Sequence, residues 1–468
     1  MVKRHLGVMG LGVMGKNLAL NAESKGFSAA GFDIDDEKVR KVAEAIAGKE
    51  ITVTNSLKDF VATLERPRRI LLMVPAGKAV DAVLKDLKPM LDKEDIVIDG
   101  GNSFFKDTER RVQELEASGL RFFGMGVSGG EEGALHGPSL MPGGHEESYR
   151  HLEPLLTKMA AQTKDGACCT YLGPRGAGHY VKMVHNGIEY GILQLICETY
   201  DFFKNVLRLT TQEIHGIFAE WNASDLNSYL LEITTLVLGK KDDQTGKPLV
   251  DLIVDEAQQK GTGKWTAQDS MDLGVAVPTL AYAVEARILS GQKKERVAAA
   301  EILSGPKEIF TGDTLTSITQ MREAYRVAVM VCYAQGFEQL RIASNEYQYN
   351  LDYADIARIW KGGCIIRAKL LDNIQQSFAM DSALPNLMLA PTFSSTINKH
   401  AAELRKVVQA ATHVGTPCVA FSTSLGYIDS YRQERLPANL LQALRDCFGA
   451  HTYHRTDKEG VFHTEWAK

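Results

Sequence analysis

The sequence predicts an α/β domain on a parallel sheet, then a large all-helical domain, then a C-terminal tail. Three observations carry this prediction. Over the first ~175 residues, short apolar runs ending in Gly, Asp or Asn alternate with helical patterns. Such runs are strands buried on both faces of a parallel sheet. From about Gly178 the strand signals nearly vanish, and a helical period dominates to about residue 430. The last ~35 residues lose that period and turn polar and aromatic, as in a tail that another surface must order. The expected division is 1–177, 178–434 and 435–468.

The first element is the most informative. Leu6–Met9 is an apolar strand, and Gly10-Leu11-Gly12-Val13-Met14-Gly15 follows it as a G-x-G-x-x-G turn. A helix over Asn17–Ser24 and a second strand over Ala29–Phe32 lead to Asp33, 18 residues after Gly15. Strand, turn, helix and acid in this register make a Rossmann-type dinucleotide-binding unit. Gly10 permits the tight turn, Gly12 lets the backbone approach a pyrophosphate, and Gly15 lets the helix pack close. The pyrophosphate then sits on free N–H groups at the helix N-terminus. Asp33 is placed to accept from ribose hydroxyls.

Further strands are expected at Arg69–Val74, Ile96–Asp99, Phe122–Val127 and Cys169–Leu172, with a helix over Ala79–Leu91. Ligands bind at the C-terminal ends of such strands. Val74-Pro75-Ala76 and Asp99-Gly100-Gly101-Asn102-Ser103 are therefore candidate cofactor or substrate loops. In the second region, Tyr180–Lys204 reads as one long helix, apolar over most of its circumference and so a core element. Lys240–Pro248 reads as a solvated loop, and Ser304-Gly305-Pro306 breaks a second helical block.

A chain of 468 residues is too long for one ordinary core. Its net charge of −5 argues against a nucleic-acid or membrane-surface partner but leaves room for a local basic pocket. No apolar run is long enough to span a bilayer. Seven scattered cysteines and the lack of a signal-peptide pattern imply reduced thiols in the cytoplasm. There is no H-E-x-x-H and no Cys/His cluster, so no metal site is expected, and a serine triad is not expected either.

Three segments could carry chemistry. Lys182, His185, Asn186 and Glu189 share one face of the long helix, among the apolar Val181, Met183, Val184 and Ile188. That stripe is either a solvated face with local ion pairs or the wall of a cleft. In a cleft the lysine would suit a general base and the glutamate a general acid. Ser128-Gly129-Gly130 offers a hydroxyl and backbone N–H groups to a carboxylate, or is simply a turn. Lys260-Gly261-Thr262-Gly263-Lys264-Trp265 lacks P-loop spacing; it could hold a phosphate as a nest, or be a surface turn.

In this order the segments resemble the 6-phosphogluconate dehydrogenase family. The most specific matches are Ile253–Trp265, Gly176–Tyr190 and Arg445–Tyr453, and the resemblance covers essentially the whole chain. It implies an oxidative decarboxylation with Lys182 as base and Glu189 as acid. It implies that Asn102, Ser128, Gly129 and Gly130 hold the carboxylate and hydroxyls of the substrate, and that His185 and Asn186 orient it. Tyr190, Lys260, Thr262 and Arg287 would bind the phosphate end, and Arg445 and His451 would complete that pocket from the other subunit of a homodimer. Gly10 to Gly15, Asp33, Ile34, Asp35, Val74, Pro75, Ala76 and Asn102 would line the cofactor.

Three positions depart from the family. Many members have Ala at Gly12 and Lys at Pro75. NADP-using members follow the second strand with Asn-Arg-Ser/Thr, where this chain has Asp33-Ile34-Asp35 and then Asp36. Carboxylates there would repel a 2′-phosphate, so NAD is expected over NADP, with Lys38 and Arg40 solvated on the next helix. The rival readings are another 3-hydroxyacid dehydrogenase, disfavoured by the basic residues, and a dinucleotide sensor, which would need neither Lys182 nor Glu189.

Overall fold

The computed structural model describes residues 3–259 and 261–467. Seven strands form one sheet: β1 (Leu6–Met9), β2 (Ala29–Phe32), β3 (Ile51–Thr54), β4 (Arg69–Leu72), β5 (Ile96–Asp99), β6 (Arg121–Ser128) and β7 (Ser139–Gly143). The order is β3-β2-β1-β4-β5-β6-β7, parallel from β3 through β6, with β7 antiparallel on the edge. Helices α1 (Val13–Ser24), α2 (Asp36–Ala45), α3 (Leu57–Thr63), α4 (Lys78–Leu87), α5 (Phe105–Glu116), α6 (Gly130–His136), α7 (Glu146–Tyr149) and α8 (Glu153–Met159) accompany it. Separate apolar cores cover the two faces, one around Val8, Ile98 and Met125 and the other around Ile70, Val97 and Phe122. The strand order reverses between β1 and β4, which opens a crevice at their C-terminal ends.

Three expectations need correction here. β3 and β7 were not anticipated; both are edge strands. The apolar run Cys169–Leu172 is not a strand. It runs beside β7, with one bridge between Leu140 and Cys169, and Gly173-Pro174 ends it. Residues 130–136 are helical rather than a turn.

The second region is helical, as expected. It opens with α9 (Ala177–Asp201), whose last turn widens into a π-helical segment, Phe202–Val206. Then come α10 (Thr211–Asn222), α11 (Tyr229–Gly239), α12 (Thr262–Asp272), α13 (Pro278–Ser290), α14 (Lys293–Ile302) and the 33-residue α15 (Thr314–Glu346). After these follow α16 (Tyr353–Ile359), α17 (Leu370–Met380), α18 (Pro391–His413) and α19 (Val419–Tyr431). α9 and α15 lie at the centre of one continuous apolar core. α9 is buried nearly all round, in keeping with a helix apolar over most of its circumference.

The tail has more order of its own than expected. It contains α20 (Ala438–Gly449), and Tyr453 and Phe462 pair beyond it as a short antiparallel bridge. The cause is Asp446. Its buried carboxylate accepts from the N–H groups of Thr452 and Thr464, from Trp466 Nε1 and from the His463 ring. Burial opposes ionisation of this group, and the donors outweigh it and hold its pKa well below the usual carboxylate range.

Candidate active site

The glycine turn closes as its residue types require. Gly10 has φ +94°, and a Cβ there would stand 2.5 Å from the Met73 carbonyl oxygen; one on Gly15 would stand 1.9 Å from that of Gly10. Gly12 differs: nothing lies within 4 Å of its Cβ position, so the protein itself would accept an alanine there. Gly12 caps α1 with no side-chain hydrogen bond and no acid in the first turn, which leaves N–H groups free for an anion. Beside it lies a cleft of about 530 Å³ lined by Gly10, Gly12, Asp33, Ile34, Val74 and Pro75. These residues fit a dinucleotide.

Asp33 is buried at the end of β2. Its Oδ2 accepts from Leu11 N–H (2.9 Å) and its Oδ1 from Asp35 N–H (3.0 Å). One lone pair on each oxygen remains for ribose hydroxyls. Ile34 is 87% exposed. Asp35 caps α2 by accepting from the Glu37 and Lys38 N–H groups. Lys38 is on α2 as expected, but it is not simply solvated: its Nζ stands 3.9 Å from both Asp33 and Asp35.

The polar stripe of α9 is turned inward: Lys182 and His185 face β6, Asn186 meets Thr262 of α12, and Glu189 is half-buried. Four glycines allow this. A Cβ on Gly126 would stand 2.4 Å from Lys182 Cβ, and one on Gly124 would stand 2.7 Å from the His179 ring. Gly143 and Gly178 bring the two backbones into direct contact. α9 therefore lies on β6 and β7 with Lys182 buried against the strand.

Around Lys182 the polar groups form one chain. Asn186 Nδ2 donates to Thr262 Oγ1 (2.9 Å), which turns Asn186 Oδ1 toward His185 Nδ1 (3.0 Å). That acceptor assigns the imidazole proton to Nδ1, so Nε2 accepts from Ser128 Oγ (3.3 Å). Ser128 Oγ in turn accepts from Ile365 N–H (3.4 Å). Lys182 Nζ is 3.3 Å from His185 Nδ1. A neutral amine can accept that proton, whereas an ammonium cannot.

Electrostatics push Lys182 toward the same state. Burial lowers the Lys182 pKa to about 8, against the attraction of Glu189. Burial raises that of Glu189, against Lys182 and Arg287. Burial, with Lys182 beside it, holds His185 neutral. A base with a lowered pKa and an acid with a raised one, two turns apart, are suited to moving protons near neutral pH.

At the far end Tyr190 is packed under Gly263, and the Arg287 guanidinium stacks 3.4 Å above its ring. Thr262 is the first residue of α12, capped by Gly261 at φ +99°, so the supposed glycine loop is a helix N-terminus. Lys260 lies outside the described residues. Gly129 and Gly130 have positive φ, and a Cβ on Gly129 would touch the Gly363 carbonyl. Asn102 is exposed in the loop after β5. Arg445 and His451 are not brought to this site within one chain; their neighbours are Gln442 and Phe448 of the tail.

Sequence reasoning missed the supporting residues. Trp360 packs edge-on against His185, and the loop through Gly363 and Ile365 backs Ser128. No periodicity marks that loop. The alternating glycines of Phe123-Gly124-Met125-Gly126 were a legible sign of close helix approach.

Fold and site together define a class: a dinucleotide-dependent dehydrogenase with an N-terminal nucleotide domain and a helical domain behind it. Residues 5–173 match the NAD binding domain of 6-phosphogluconate dehydrogenase, and residues 178–466 match the C-terminal domain of that enzyme. The chain is 55% identical to a decarboxylating 6-phosphogluconate dehydrogenase of Synechococcus elongatus, over the whole of both chains. It is 52% identical, again over the whole of both, to a Bacillus subtilis relative named NADP(+)-dependent and decarboxylating. A Plasmodium falciparum 6-phosphogluconate dehydrogenase, solved in apo form and with its cofactor NADP+ or its substrate 6-phosphogluconate, superposes with TM-score 0.94. That structure is 40% identical, covering 98% of this chain and 100% of its own. The chain belongs to the 6-phosphogluconate dehydrogenase family and is an oxidoreductase that binds NAD(P). Among the described residues, no helix is long and apolar enough to cross a membrane.

Proposed function

We propose that the chain converts 6-phospho-D-gluconate to D-ribulose 5-phosphate and carbon dioxide, with NAD preferred over NADP. The observation that carries this reading is the acid–base pair on α9, Lys182 lowered and Glu189 raised by the same burial. Neutral Lys182 takes the proton of the 3-hydroxyl as hydride leaves C3. The bound dinucleotide supplies the hydride acceptor. The resulting 3-keto acid releases its carboxylate as carbon dioxide. The electron pair of the broken bond moves toward the C3 carbonyl oxygen, where Lys182, now an ammonium, stabilises the charge by donating its proton. Glu189 protonates the carbon that lost the carboxylate, and the enediol hydroxyl proton returns to Lys182.

Asn102, Ser128, Gly129 and Gly130 hold the carboxylate and hydroxyls, and His185 and Asn186 orient C3. Tyr190, Lys260, Thr262 and Arg287 receive the phosphate. Arg445 and His451 of one tail complete that pocket in the other subunit of a homodimer. Support for the dimer comes from α20, where Leu440, Leu441, Leu444 and Phe448 are each more than half exposed. The functional units on this reading are 1–177, 178–434 and 435–468. Seven free cysteines support a cytoplasmic setting.

The preference for NAD rests on Asp33. A buried carboxylate at the ribose position attracts hydroxyls and repels a 2′-phosphate. NADP is the second reading, favoured by the NADP named for two relatives and by Lys38 at the cleft mouth. Initial rates of nicotinamide reduction with 6-phosphogluconate, run with NAD and NADP in parallel, test both levels. Higher kcat/KM with NAD is expected. Higher kcat/KM with NADP removes the cofactor reading, and no turnover with either removes the substrate.

A further inference from the structure

We infer that Arg111 is a positioning residue that couples dinucleotide seating to the placement of the catalytic helix. Its side chain is fully buried on α5, between the cofactor loop and the end of β5. Nη2 donates to the Gly77 carbonyl (3.0 Å), which closes the Val74–Ala76 loop, and Nε donates to Asp81 of α4 (2.8 Å). Nη1 faces Asp99 Oδ2 at 3.5 Å and makes no hydrogen bond. Asp99 is buried too, and its backbone carbonyl accepts from His179 Nε2 (3.0 Å). Thr108 Oγ1 holds the other ring nitrogen (2.7 Å). His179 precedes Lys182 by one turn of α9.

One guanidinium thus spans the loop that meets the cofactor and the carboxylate residue that holds α9. The open Nη1–Asp99 pair is the slack in this connection. A shift of a few tenths of an ångström in the Gly77 loop turns it into a charge-assisted hydrogen bond. Dinucleotide pressing on Val74–Ala76 is what supplies the shift. The first turn of α9, and Lys182 with it, then becomes better fixed. The consequence for catalysis rests on Lys182 as the base; the coupling itself needs only dinucleotide binding.

Hydrogen exchange tests it without substrate. Exchange of backbone amides over Gly173–Lys182 is measured by mass spectrometry, with and without saturating NAD, in the wild type and in Arg111→Lys and Thr108→Val. In the wild type, NAD is expected to slow exchange in this segment at least threefold. Both variants should still bind NAD, and both should lose the slowing. Should Arg111→Lys fail to fold, Thr108→Val, which keeps the side-chain volume, decides alone. Slowing that persists in the variants, or a wild-type segment indifferent to NAD, overturns the inference. Neither result bears on the choice of substrate, which the rate assay above decides.

Discussion

Replacing Lys182 with methionine should end turnover and also make the fold more stable. Burial takes the lysine from 10.5 to about 8. Within the fold its charged form is therefore disfavoured by about 3 kcal/mol, at ~1.4 kcal/mol per tenfold change. At pH 7 the folded chain still binds that proton and bears the whole penalty. The sign follows from the depressed value. Between pH 8 and pH 10.5 the unfolded chain holds the proton and the folded one has released it, so wild-type stability rises across that window. Methionine fills a similar volume with no charge to bury. The variant should gain about 3 kcal/mol at pH 7, less whatever Glu189 loses with its partner, and the gain should shrink toward zero by pH 10.5. Equilibrium urea unfolding followed by helical circular dichroism at pH 7 and pH 9.5 measures both. A methionine variant no more stable than the wild type at pH 7, or equally advantaged at both pH values, would refute the argument. The same value predicts that wild-type kcat/KM falls about tenfold per pH unit below pH 8.

Three other outcomes are expected. Asp33→Asn with Ile34→Arg and Asp35→Thr should move the NAD:NADP ratio of kcat/KM toward NADP; threonine keeps a cap oxygen on α2, so the helix loses less than about 1 kcal/mol. An unchanged ratio would sink the role given to Asp33. Gly126→Ala places a methyl 2.4 Å from Lys182 Cβ; lifting α9 by about 1 Å should cost roughly 100-fold in kcat, and kcat within threefold of wild type would refute the close-contact reading. Finally, Lys182→Ala and Arg445→Ala are each expected to be inactive, yet unfolding and refolding them together should restore about a quarter of wild-type activity, because half the dimers then carry one intact site. No recovery would mean that Arg445 does not serve the opposite subunit.

The strands legible in the sequence were the interior ones. β1, β2, β4, β5 and β6 are covered on both faces, so their runs are continuously apolar. β3 reads Ile-Thr-Val-Thr because one side of it meets water, and β7 carries Pro142, which a strand tolerates at an edge. The stripe on α9 was legible as a face, but its direction was not. Spacing cannot distinguish a helix against water from one lying on a glycine floor. The floor was itself written in Gly124 and Gly126, one strand away. The linking roles of Asp99, Arg111 and His179 were not legible for another reason: each acts through contacts between elements far apart in the chain, which no local window contains. The tail was misread twice over: Leu440, Leu441, Leu444 and Phe448 do recur at helical spacing on α20, and beyond it a single acid, Asp446, gathers a segment that has no periodic pattern.

If the tail completes the opposite subunit's site as proposed, that acid has a consequence for how the two chains meet. A tail gathered around its own carboxylate has already lost most of its conformational freedom before any encounter. Its capture is then a collision between finished shapes, limited by diffusion and orientation rather than by folding on the partner's surface. Dilution would release subunits with the tail still formed, so assembly should be quickly reversible with little change in helix content. Asp446→Asn would turn that docking into folding coupled to binding. It should slow reassembly after dilution far more than it alters the site that the tail enters.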